Sequence, residues 1–136
     1  MRRYGTTAVV YTVLALAGGV FYREFTKFQD FAGKTTLSVI HTHYFLLGMV
    51  LFLLLALLER SFSFTTPTVR RSMVVYHIGL NLTVGMLAVR GVLQVLGTEL
   101  SSGLEASISG VAGIGHLLLG GSLLVVLIQL RRRMPA

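Results

Sequence analysis

Four apolar runs, at residues 4–22, 37–58, 72–96 and 104–130, take up most of the chain, and short polar stretches separate them. About 20 apolar residues at about 1.5 Å rise cross roughly 30 Å of hydrocarbon, so each run predicts a transmembrane helix. The second run, LSVIHTHYFLLGMVLFLLLALL, carries His41-Thr42-His43 near its start. Two imidazoles at the beginning of such a helix sit in or just under a membrane, where ionisable groups are expensive and usually functional.

The polar stretches punctuate these helices. Residues 23–36 place Phe21, Phe25 and Phe28 at helical spacing beside Arg23, Glu24, Lys27 and Asp30. That pattern predicts an amphipathic turn or two at the membrane interface, ending at Gly33, with Thr35 or Thr36 capping the next helix. Gly33-Lys34-Thr35 superficially matches part of a phosphate loop, but Phe28 stands where a glycine is required and no strand precedes it. Pro67 breaks the connection before the third helix. The first run has the basic start, apolar middle and small residues (Ala15-Leu16-Ala17) of a secretory signal peptide, yet we take it as a retained first helix.

Composition narrows the class. The chain has 136 residues, 54% hydrophobic and 12% charged, which predicts one all-α integral membrane domain over residues 1–136, a four-transmembrane-helix bundle. With no Cys, disulfides, thiolate metal sites, iron–sulfur clusters and covalent haem attachment are excluded. The net charge of +7 is a matter of topology. One side collects Arg2, Arg3, Arg60, Arg70, Arg71, Arg131, Arg132 and Arg133; the other holds Arg23, Lys27 and Lys34 with Glu24, Asp30 and Glu99. The positive-inside rule makes both termini cytoplasmic in a multi-pass cell-membrane protein. The basic charge then meets anionic lipid head groups, with no nucleic acid as partner.

Polar residues within the spans carry the candidate chemistry. Counted from the outer end, His43 lies ~9 Å down helix two, His116 ~18 Å down helix four, His77 ~28 Å along helix three and Arg90 ~9 Å along it. At about 100° per residue, Ser109, Ala112, Gly113 and Gly120 share a face with His116. Such a face either admits a neighbouring helix or forms a groove beside the imidazole in which a flat macrocycle could lie. His77, with Asn81 one turn on, equally suits a hydrogen bond to a neighbouring helix. His41 and His43 are about 200° apart and cannot enter the same gap.

Imidazoles without thiolate or a carboxylate cluster suit haem iron, copper or zinc. A b-type haem needs two axial imidazoles on different helices, an apolar slot and cations for its propionates. His43 and His116 are the candidate ligands, His77 and His41 are further cofactor-binding candidates, Phe45, Leu47 and Met49 border the slot, and Arg90 or Arg23 would meet the propionates. Arg90 alternatively snorkels outward to Glu99 or Glu105. The expected function is non-covalent haem b binding for electron transfer, haem handling or small-gas sensing. A homodimer and a redox partner protein are the partners this reading allows. A non-haem copper or zinc site and a cofactor-free structural subunit are the alternatives. No acid–base carboxylate pair, nucleophile array or dinucleotide fingerprint stands in the sequence, so any chemistry would belong mostly to the cofactor.

His41-Thr42-His43-Tyr44-Phe45-Leu46-Leu47-Gly48-Met49 resembles the His-x-His-x-x-x-x-Gly pattern in helices of the haem–copper oxidase superfamily. That resemblance covers one helix and implies haem or metal ligation by His41 and His43. The twelve-helix body and the adjacent His-His copper pair are missing, so an autonomous oxygen reductase is not implied. The whole chain, with FYREFTKF before GKTTLSVIHTHYFLLG, is similar to an uncharacterised family of small four-helix bacterial membrane proteins, a domain of unknown function.

Overall fold

The computed structural model describes residues 1–135, which form four helices: α1 Arg2–Phe28, α2 Thr36–Phe62, α3 Pro67–Val95 and α4 Ser102–Arg131. All four are long and apolar enough to cross a membrane. No strand occurs among the described residues.

Local chemistry sets the helix ends. Thr35 caps α2, its Oγ1 accepting from Leu37 N at 3.3 Å, as one of its two candidate cap residues was expected to do. Thr66 caps α3 by accepting from Val69 N, with Pro67 in the first turn, where its missing N–H does no harm. Ser101 caps α4. α1 departs from expectation. It does not stop at Tyr22 but continues through Arg23, Glu24 and Lys27 to Phe28, and the Phe21 and Phe25 rings stack at 5.2 Å. The expected separate interfacial segment is therefore the end of the first helix, because backbone hydrogen bonds propagate whether or not the side chains are buried.

α3 is the central element. It packs along its length on α4 and receives the first turns of α2, while α1 lies along α2. Hydrocarbon offers no hydrophobic drive for helices to associate, so contact distance and hydrogen bonds must hold them together. Gly79 marks a close approach between α3 and α4: a Cβ there would stand 2.6 Å from Leu119 N. The start of α2 is tied to the end of α3 by three bonds, Thr35 Oγ1 to Gly91 O (2.9 Å), Thr36 Oγ1 to Leu87 O (2.7 Å) and Thr36 N to the Gln94 side chain (2.8 Å). At the opposite end, Tyr4 OH meets Thr65 Oγ1 at 2.8 Å. Antiparallel packing thus gathers the N-terminus, the α2–α3 loop and the end of α4, with their arginines, at one end. The outer surface is apolar, with Leu117 77% exposed, as lipid-facing residues are.

Within α2, Tyr44–Val50 is π-helical. The widened turn leaves the Leu47 carbonyl to an outside donor, and the fully buried Tyr76 of α3 donates its hydroxyl to it at 2.7 Å. Unpaired backbone groups are poorly tolerated in hydrocarbon. Tyr76→Phe should therefore lower stability by about 1–2 kcal/mol, seen as a thermal midpoint in detergent lower by roughly 3–8 °C. An unchanged midpoint would show that the bond contributes nothing.

Candidate functional site

The polar residues inside the spans fall into three groups, each set by which helix flank carries it. The first joins α1, α2 and α3. Tyr44 OH donates to Asn81 Oδ1 at 3.0 Å, and Asn81 Nδ2 donates both to His77 O at 2.8 Å and to Tyr11 OH at 3.2 Å. Tyr11 OH lies 2.7 Å from His77 Nδ1. The proton positions follow. Tyr11 accepts from Asn81, and His77 Nδ1 is the acceptor its own hydrogen can reach among the described residues; with the hydrogen placed there, Nδ1 accepts and the hydrogen of the neutral ring stands on Nε2. Phe52 lies parallel to the imidazole at 5.1 Å and Tyr11 holds its edge through the hydroxyl, which together fix its plane. His77 thus makes the interhelical hydrogen bond that the sequence allowed, with Tyr11 as its partner.

The second group is on α1 and α2. His41 packs over Gly19, lies edge-on to Phe45 at 6.4 Å, and has a buried Nδ1 without a hydrogen-bond partner. Arg23 and His41 both line a shallow notch of about 250 Å³. Arg23 also pairs with Glu24 at 3.8 Å, with both side chains exposed.

The third group is His43 and His116. His43 Nδ1 lies 2.8 Å from Val39 O, and His116 Nδ1 lies 2.8 Å from Ala112 O. A carbonyl only accepts, so both rings carry their hydrogen on Nδ1 and present a bare Nε2 lone pair, the tautomer that a metal ligand needs. His41 faces α1 through Gly19, and His43, about 200° further round α2, lies on the opposite flank. On α4, Ser109 and Leu123 flank His116 by seven residues and therefore share its face. Ser109 accepts from Arg90 at 2.6 Å and Leu123 packs on the core, while His116 between them is exposed. The flank that carries His116 touches the bundle above and below the imidazole and stands open at its level.

α3 serves as a common ruler for depth. Leu37 packs on Gly91, and His43 lies ~9–10 Å deeper along α2, which reaches the level of about Val84. Gly115 packs against Gly79 O and Thr83, so His116 stands near the level of Leu82. The two histidines are thus within about one turn of each other, in place of the ~9 Å offset expected from counting. The count assumed that all helices begin in one plane. In the fold, Thr36 starts level with Leu87 and Gln94, while the first turns of α4 project beyond Arg90.

Other expectations for α4 are redistributed. Its contact with α3 runs through Ile108, Gly115, Leu119, Ser122 and Val126, whereas Ser109, Gly113 and Gly120 are exposed and a Cβ at either glycine would meet nothing. Arg90 binds Ser109, and neither Glu99 nor Glu105 pairs with it among the described residues. Tyr11 and Tyr44 escaped the sequence reading, although a tyrosine well inside a span, away from the interfacial belt, signals a buried hydrogen bond. Thr83, wholly buried with an unpartnered hydroxyl against Gly115, was also missed.

Among the described residues no three His, Cys, Asp or Glu side chains gather as a metal cluster would need. No curated protein and no solved structure matches the chain. A family model does match it, over residues 1–133. The chain belongs to that family, described as protein of unknown function (DUF2871).

Proposed function

We propose that this chain is a membrane protein that holds haem b non-covalently between His43 and His116, for electron transfer, haem handling or small-gas sensing. The observation that carries the reading is the pair itself: two imidazoles on different helices, at one level of α3, each with Nδ1 tied to its own backbone and Nε2 free. Second-shell bonds of this kind orient a histidine and raise its basicity toward a metal. The open glycine positions beside His116 leave room for a flat ring. Arg90, held by Ser109 about two turns nearer the outer end, offers a cation for the propionates. A bis-imidazole haem needs two ligands, and His43 and His116 would be these. The exposed flank of α4 around His116 is where a second copy of the chain or a redox partner would pack.

The test is an absorption spectrum of the detergent-purified protein, oxidised and dithionite-reduced, with a pyridine haemochrome assay. A Soret band with sharp reduced α and β bands is expected. Protein from haem-supplied cells with no Soret band would overturn the reading in favour of another metal or a structural subunit.

In this reading both termini are cytoplasmic in the cell membrane, because the end that carries eight arginines faces inward. The chain has no Cys, so single introduced thiols report the orientation. Thr98→Cys should react with an impermeant maleimide in intact cells, and Ser61→Cys only after permeabilisation. The reverse pattern would invert the topology.

A further inference from the structure

The backbones of α1 and α3 stand apart, and the space between them is a cleft in two lobes. One lobe, about 510 Å³, runs from Arg3, Glu59 and Arg70 at the arginine-rich end past Tyr4 and Met73 to His77. The other, about 270 Å³, continues past Tyr11 to Asn81. Thr7 and His77 line both, so the lobes meet at the imidazole. The walls are mainly apolar, and rim residues Val10 (52% exposed) and Val74 (59% exposed) open sideways to the lipid. This volume lies in the range of small-molecule sites, which pair apolar walls with a few fixed polar groups.

The fixed group here is a donor. Asn81 donates to Tyr11, Tyr11 donates to His77 Nδ1, and the ring hydrogen is left on Nε2, with Phe52 and Tyr11 locking the plane. This is the opposite tautomer to His43 and His116, so His77 is set up to donate a hydrogen bond where those two offer lone pairs. A donor midway down an apolar, lipid-open cleft calls for an uncharged acceptor on a lipid-soluble molecule. An acidic lipid would put its charge at Arg3 and Arg70 and leave only hydrocarbon at His77, with the N–H unmet.

We infer that the α1–α3 cleft binds a lipid-soluble ring of the quinone class, one ring carbonyl accepting from His77 Nε2–H. The assignment does not depend on haem, since His77 is separate from the His43–His116 pair. The test is equilibrium binding of decylubiquinone to the detergent-purified full chain, by calorimetry, with oleate as competitor. Saturable binding is expected, weakened roughly tenfold or more in His77→Phe, which keeps a flat ring between Phe52 and Tyr11 but has no donor. His77→Gln, which keeps an N–H, should lose less and carries the test should the Phe variant fail to fold. Leu117→Ala, on the exposed face of α4, should bind as the wild type does. Nitrogen-15 spectra of labelled histidine should show His77 as the Nε2–H tautomer. Absence of saturable binding, binding undiminished in both His77 variants, or binding displaced by oleate and abolished by Arg3→Ala with Arg70→Ala would each overturn the assignment, the last in favour of an acidic lipid.

Discussion

Replacing Gly79 with leucine should part α3 from α4 and destabilise the protein by roughly 3 kcal/mol or more, a fall of about 10 °C in the thermal midpoint in detergent. A Cβ at Gly79 would stand 2.6 Å from Leu119 N, 2.9 Å from Gly115 O and 3.0 Å from Leu119 Cα. All three are backbone atoms, so no rotamer change relieves the clash and the helices must separate. Separation forfeits the dispersion contacts on which helices in lipid depend. It would also loosen Arg90 from Ser109 on the same pair of helices. Gly85→Ala, on the same helix but with nothing near its Cβ position, is the control and should gain up to about 1 kcal/mol from helix propensity. Equal melting of Gly79→Leu and wild type would mean that α4 is not held at this contact.

His116→Ala should empty the proposed haem site, with haem per chain falling to about a tenth or less of the wild-type value, since loss of even an outer-shell partner costs a metal site about 10–100-fold in affinity. His116 is exposed, so its removal should leave the fold and the melting of the haem-free chain unchanged. Added imidazole, filling the vacated position, should restore the six-coordinate spectrum. His43→Ala should behave in the same way. His41→Ala should retain its haem, because His41 faces Gly19 and the notch beside Arg23. Undiminished haem loading in His116→Ala would remove that residue from the ligand set and with it the argument from matched depth.

The four spans and the all-helical class were legible because unbroken apolar length is a direct consequence of what hydrocarbon demands of a backbone. Helix ends were less so. Arg23, Glu24 and Lys27 looked like a break after the first span, yet they extend α1, since charge marks where a helix leaves lipid and not where its hydrogen bonds stop. Periodicity identified sets of residues that share a face, such as Gly113 with His116 and Gly120, but not which set meets a neighbour. The set containing Gly115 and Ser122 took that place on α3. The shared level of His43 and His116 was invisible for a related reason: it depends on Thr36 bonding Leu87 and Gln94, an axial stagger that no single helix encodes. His77 and Asn81 were legible as a pair; their link to Tyr11 and Tyr44 required knowing which three helices converge.

The wide turn at Tyr44–Val50 gives α2 one stretch in which the number of residues can change. A π turn accommodates about one residue more than an α turn over the same rise, so deleting one position from this stretch would let the helix close regularly. The residues on either side would then keep their faces, with Phe52 and Leu55 still in the core and His43 still on the flank away from α1, while the carbonyl that Tyr76 reaches would return to the helix's own ladder. The same deletion placed in the regular turns after Val50 would instead swing everything on its N-terminal side by about 100° and take Tyr44 from Asn81. A relative one residue shorter is therefore expected to lack it within the wide turn, the one stretch of this helix where the count can change and the displayed faces stay.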